Sequence, residues 1–152
     1  MAALLDTTVA VLLLRRAPRD EAAAVVQAAN AEIEGGGAFL PAVAVSELLI
    51  GERTAAGARS LAEALANIPV AILPVEAAGD AGSMGAFLAA RGAPVPFPDL
   101  LVAATAVWLD VPLLTWDGDF ARARSVAMRS GAEHPGAALW RRLRLHPASR
   151  DA

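Results

Sequence analysis

A chain of 152 residues with a formal net charge of −3 fits one domain with a sizeable core and leaves no room for a second domain of ordinary size. The absence of cysteine excludes disulfides, thiolate metal sites and cysteine nucleophiles, and the 13 basic residues are all arginine, which excludes every mechanism that needs a lysine. His134 and His146 match no zinc spacing, so a metal here would be held by oxygen ligands, and the mildly acidic balance provides no global basic field to recruit nucleic acid.

Taken in order, the chain alternates short apolar runs with helical patterns. Ala2 to Leu5 reads as a strand closed by Asp6, after which Thr7 and Thr8 are placed to cap a helix beginning at Val9. The apolar run Val9 to Leu14 is too short to span a bilayer, which needs about 20 residues. Arg15 and Arg16 follow it rather than precede it, the reverse of a signal peptide, so a cytoplasmic protein without membrane contact is expected. A charged turn surrounds Pro18, and Glu21 to Ile33 has the spacing of an amphipathic surface helix ended by Gly35, Gly36 and Gly37. These glycines precede an apolar segment rather than follow a strand, so they read as a helix stop and not as a phosphate-binding loop.

Ala38 to Ala42 is the second strand expected, and Ser46-Glu47 opens a helical run, which places Glu47 near the carboxyl end of that strand. Thr54 to Asn67 reads as a helix, Val70 to Leu73 as a third strand, and Val75 to Arg91 as a further helix. Ala81, Ser83 and Gly85 imitate a nucleophile elbow, but no strand leads into Ser83 and the first glycine is missing. After a proline-rich loop, the stretch Phe97 to Phe120, FPDLLVAATAVWLDVPLLTWDGDF, organises the chain. Pro98 and Asp99 read as a helix start with Asp99 as the cap, and Leu100, Ala103, Ala104, Val107 and Trp108 give one broad apolar face. Asp110 and Pro112 break the helix, and Val111 to Thr115 is a buried strand followed at once by Asp117 and Asp119. A short helix near Ala121 and a last strand around Val126 to Arg129 complete an α/β domain over residues 1–130, and residues 131–152 form a basic C-terminal extension packed on it or trailing it.

Strands alternating with helices imply a parallel sheet covered on both faces. Asp6, Glu47, Asp99 and Asp117 each have an ordinary explanation as caps or turn residues. All four, however, fall at strand carboxyl ends or at a helix start on the same edge, where open α/β sheets bind ligands. Carboxylates converging there repel one another unless cations neutralise them, which points to a divalent metal, magnesium or manganese.

The segments LLDTTVAVLL, VSELLIG, PDLLVAATAV and LLTWDGDF resemble, in order and spacing, the motifs of PIN-domain ribonucleases, in particular the VapC-like toxins of bacterial toxin–antitoxin pairs. The resemblance runs from Ala3 to about Arg124 and implies a five-stranded parallel sheet in the order 3-2-1-4-5, flanked by helices, with the acids at one edge. It maps the four acids of the family onto Asp6, Glu47, Asp99 and Asp117, and an accessory acid onto Asp119. Thr115 and Asp117 fill the T-x-D position, and the resemblance implies that Thr8 and Thr115 would be outer-shell polar residues; Thr8 departs from the family, which often has Asn or Ser there, so that contact would differ. The activity implied is hydrolysis of RNA phosphodiester bonds with magnesium, or manganese in its place, leaving a 5′-phosphate and a 3′-hydroxyl. Asp6, Asp99 and Asp117 would be direct or water-mediated ligands and Glu47 would position or deprotonate the water. Arg15, Arg16, Arg122 and Arg124 are candidate contacts to the RNA backbone. The partners implied are a small antitoxin and a second copy of the chain.

Three other readings compete. Phosphoaspartyl phosphatases and receiver domains also carry aspartates at strand ends, but they use a lysine, and Asp6 is followed by Thr7-Thr8 without a second Asp two positions on. A calcium loop starting at Asp117 fails because Ala121 and Met128 occupy ligand positions. A PIN fold that only binds a partner or dimerises is the third, and the intact acids argue against it.

Overall fold

The computed structural model describes residues 2–14, 20–131 and 133–152. Four short parallel strands, β1 (Ala3–Leu5), β2 (Ala38–Pro41), β3 (Val70–Ala71) and β4 (Leu113–Leu114), form a sheet in the order β3-β2-β1-β4. β1 is central, pairing Leu4 with Phe39 on one side and with Leu113 on the other. Successive side chains of a strand point to opposite faces. Leu4 and Leu113 accordingly join one core cluster, and Ala3, Leu5 and Leu114 the other. All three residues of β1 are fully buried, as a strand covered on both faces requires.

One face is covered by α1 (Thr7–Leu14), α2 (Ala23–Glu34), α3 (Ala42–Ile50) and α4 (Ala55–Leu65). The other is covered by α5 (Val75–Ala89), α6 (Phe97–Leu109), α7 (Asp119–Arg129) and α8 (Pro135–Arg142). α6 buries a continuous block from Val102 to Val107, all alanine, valine or threonine, and its small side chains let α5 approach closely. Asp110 ends it in the left-handed conformation, at φ 52°, where its backbone N–H reaches the carbonyls of Ala106 and Val107. None of the described helices is long and apolar enough to cross a membrane.

Among the described residues the sheet has four strands where five were expected. Val126 to Arg129 is not a strand but the end of α7, because Phe120, Ala123 and Ala127 recur at helical spacing and are buried together. The place beside β4 is taken by the C-terminal segment, whose Leu145 forms a parallel bridge with Leu113. Helix starts also lie earlier than the sequence suggests. α1 begins at Thr7 rather than Val9, with the Asp6 carbonyl accepting from Val9 and Ala10. α3 follows β2 directly at Ala42, so Glu47 sits more than a turn inside the helix. α6 begins at Phe97 after Pro96, and Asp99 makes no capping hydrogen bond. The charged turn around Pro18 lies outside the described residues.

α8 crosses α5 at very short range. His134 caps it, its Nδ1 accepting from Gly136 N–H at 3.0 Å, and Trp140, fully buried, donates Nε1–H to the Met84 carbonyl at 3.2 Å. A Cβ on Gly136 would lie 2.0 Å from the Ser83 carbonyl oxygen and 2.9 Å from Phe87 Cβ. Both obstacles belong to one turn of α5, backbone at Ser83 and the Cβ of a buried aromatic at Phe87, and neither has room to give. Gly136→Ala is therefore expected to destabilise the fold by about 1–3 kcal/mol, measured as a lower midpoint in urea at unchanged slope; an unchanged midpoint would mean that α8 is free to shift.

Candidate active site

The carboxyl edge of the sheet gathers the acids. Asp6 follows β1, its N–H donating to the Leu114 carbonyl at 3.0 Å and so extending the ladder to β4. Its side chain is only 2% exposed. Oδ1 accepts from Thr7 N–H at 2.7 Å, and Oδ2 accepts from the hydroxyls of Thr8 at 2.6 Å and Thr115 at 2.8 Å. The two threonines are committed in turn, since Thr8 Oγ1 accepts from Trp116 N–H at 3.1 Å and Thr115 Oγ1 from Asp117 N–H at 2.9 Å. Each hydroxyl thus spends its one proton on Asp6 while receiving a backbone proton. Burial raises the Asp6 pKa, and these hydrogen bonds offset part of the rise.

Glu47 reaches the same edge from α3, its Oε2 accepting from the Thr7 hydroxyl at 2.5 Å. Asp117 lies past β4, its Oδ1 accepting from Asp119 N–H at 2.9 Å, and Asp119 pairs with Arg122 at 2.8 Å. Asp99, in the first turn of α6, is half-buried and has no hydrogen-bond partner among the described residues. Its pKa is pushed up to about 7, first by desolvation and then by the negative charges of Asp6, Asp117, Glu47 and Asp119. The helix N-terminus favours its charged form, but only by a fraction of a kcal/mol. The charges of Asp6, Asp117, Glu47 and Asp119 are thus near enough to Asp99 to disfavour its ionised form.

The arginines are distributed otherwise. Arg122 is tied to Asp119. Arg124 lines a cavity of about 490 Å³ between α7 and the C-terminal segment, together with Arg144 and Asp151, and none of the four acids lines it. Arg15 and Arg16 lie outside the described residues. Sequence reasoning treated Thr7 only as a cap and gave Ser149 no role. Thr7 carries Glu47, and Ser149 holds β4 from the outer edge, its hydroxyl accepting from Thr115 N–H at 3.1 Å. The doublet Thr7-Thr8 after an edge aspartate was the available signal for the first; the second had none.

Among the described residues no group of three or more His, Asp or Glu side chains is already drawn together tightly enough to hold a metal ion. The donor set still fits a hard cation. All its donors are carboxylate or hydroxyl oxygens, and Asp99 is a crowded carboxyl without a proton donor to relieve it. Magnesium commonly takes only one or two carboxylates, with water and substrate phosphate completing its shell.

The sequence profile of the PIN domain matches residues 3–126. The chain belongs to the PIN-domain family, whose members are in general nucleases that use divalent metal ions. The α/β architecture agrees with solved structures of that family. The structure of VapBC2 from Rickettsia felis, bound to a DNA fragment from their promoter, is similar with a TM-score of 0.67 at 18% identity, over 81% of this chain and 93% of that one. DNA-bound VapBC from Salmonella typhimurium is similar at 0.65 and 22% identity, over 81% and 92%. VapBC-5 from Mycobacterium tuberculosis, a member of the VapBC family of toxin–antitoxin systems, is similar at 0.56 and 25% identity, over 87% and 94%. No curated protein matches the chain in sequence.

Proposed function

We propose that this chain is a magnesium- or manganese-dependent ribonuclease and the toxin of a toxin–antitoxin pair. The observation that carries the reading is Asp99, an unpartnered, half-buried carboxyl raised to about 7 first by desolvation and then by the charges of Asp6, Asp117, Glu47 and Asp119. A cluster held in that state has an unmet need for positive charge, which a divalent ion and the phosphate it carries would supply. Asp6, Asp99 and Asp117 would hold the ion directly or through water. When bound, it neutralises charge on the phosphate and lowers the pKa of a coordinated water. Asp6 is oriented for this by Thr8 and Thr115, which fix Oδ2 from two sides. Glu47, held through Oε2 by Thr7, keeps Oε1 available to orient the attacking water and accept its proton.

Attack by water leaves a 5′-phosphate and a 3′-hydroxyl without using the ribose 2′-hydroxyl. The test is incubation of single-stranded and structured RNAs with magnesium, followed by end-group analysis of the fragments. Cleavage to 5′-phosphate ends that stops on EDTA addition is expected; 2′,3′-cyclic phosphate ends, or cleavage that persists in EDTA, would overturn the reading. The likeness to VapBC complexes supports an antitoxin as partner, and the motif resemblance implies a second copy of the chain as well. Sedimentation of a monomer at micromolar concentration, together with a gene neighbourhood that lacks a small adjacent reading frame, would count against both.

A further inference from the structure

The outer edge of β4 would be unpaired but for the C-terminal segment. Leu113 N–H donates to the Arg144 carbonyl at 2.8 Å, and the Leu113 carbonyl accepts from His146 N–H at 2.8 Å and from the Ser149 hydroxyl at 3.0 Å. The same Ser149 oxygen accepts from Thr115 N–H at 3.1 Å, and Arg150 N–H closes the edge on the Thr115 carbonyl at 3.1 Å. Ser149 is 8% exposed, and among the described residues its hydroxyl is the one group that bonds to both Leu113 and Thr115 along the strand. The segment continues beneath the loop after β4, where Asp151 Oδ2 lies 2.8 Å from the position a Cβ would take on Gly118. Arg150 sits over the Trp116 ring at 5.5 Å.

Thr115 is the residue on which two of the acids depend. Its hydroxyl donates to Asp6 Oδ2 and accepts from Asp117 N–H, so a rotation of its backbone would move both contacts at once. We infer that Ser149 is a positioning residue for the metal-binding acids: by holding the Thr115 backbone from outside the sheet, it fixes the orientation of Asp6 and the start of the Asp117 loop. This rests on the nuclease reading above and extends it to a part of the chain that lies beyond the matched PIN segment. The principle is that partners behind a ligand set its orientation, and their loss typically weakens metal affinity or activity by about 10- to 100-fold.

The experiment is a double-mutant cycle of Ser149→Ala and Thr115→Val, read by manganese affinity in calorimetry, by kcat and KM for RNA cleavage, and by exchange of the Thr115 amide proton. Valine at position 115 keeps the backbone N–H that Ser149 binds but removes the hydroxyl that passes its effect to Asp6. Ser149→Ala alone is expected to speed Thr115 amide exchange, weaken manganese binding and lower kcat by about tenfold, with KM little changed. In the Thr115→Val background it is expected to cost nothing further. An equal loss in both backgrounds would mean that Ser149 merely stabilises the fold, and no loss in either would also overturn the inference. A wild type that binds manganese but leaves RNA intact would overturn the nuclease reading while the manganese arm still decides Ser149; a wild type that binds no manganese would overturn both.

Discussion

Asp6→Asn is expected to reduce RNA cleavage by about 10³-fold or more, since several kcal/mol of charge stabilisation are lost and each 1.4 kcal/mol is tenfold in rate. The loss comes from chemistry that the amide cannot supply. Asp6 Oδ2 takes protons from both threonine hydroxyls, and those hydroxyls are already acceptors for Trp116 and Asp117. An asparagine turned to accept from Thr7 presents its NH₂ to two groups that are themselves offering protons. Both hydroxyls then lose their acceptor, at a cost of about 1–3 kcal/mol for the buried one, Thr115, against which stands the relief of no longer burying a charge. The variant should remain folded by circular dichroism, with no gain in thermal midpoint. Cleavage within tenfold of wild type in a folded Asp6→Asn protein would remove Asp6 from the metal site.

Asp99→Asn should behave differently, with activity lost and the metal-free protein made more stable. The Asp99 pKa is about 7 in the folded protein against 3.8 as its ordinary value. The folded state therefore binds a proton that the unfolded state releases between those limits, so stability rises as pH falls from about 7 and levels off below about 4. Above pH 7 the full penalty is present. The gap corresponds to about 4 kcal/mol at most, and a half-exposed carboxyl screened by water and salt retains about 1–2 kcal/mol of it. Asparagine removes that penalty while keeping the shape, and no capping bond is lost because Asp99 makes none. At pH 7.5 in EDTA the variant should melt about 2–6 °C above wild type, and the difference should vanish near pH 4. Magnesium should raise the wild-type midpoint by mass action and the variant less. A variant that melts lower in EDTA, with equal magnesium shifts in both proteins, would make Asp99 a structural helix-start residue.

The acids were legible because their signal is local and ordered. Each follows a short apolar run or opens an apolar helix, and the alternation of such units already implies a parallel sheet with one ligand-binding edge. Helix starts were less so: the pairs Thr7-Thr8 and Ser46-Glu47 look like caps, but α1 already begins at Thr7 and α3 at Ala42, which puts the first pair in the first turn and the second pair beyond it. Val126 to Arg129 misled because three apolar residues before an arginine have no period of their own, and only burial of Phe120, Ala123 and Ala127 on one face decides for helix. The outer edge of β4 was beyond reach. Its partner lies more than 30 residues away and pairs largely through backbone groups, which every sequence possesses. Ser149 is an ordinary serine until its hydroxyl is found between Leu113 and Thr115.

The central claim is that Asp6, Glu47, Asp99 and Asp117 form one metal-dependent hydrolytic site. Its most direct test is the initial rate of RNA cleavage across a magnesium titration, for wild type and Asp6→Asn prepared in parallel. The wild-type rate should rise from zero in EDTA to a plateau while the variant stays at baseline throughout. Equal rates in the two proteins, or a wild-type rate independent of magnesium, would contradict the account.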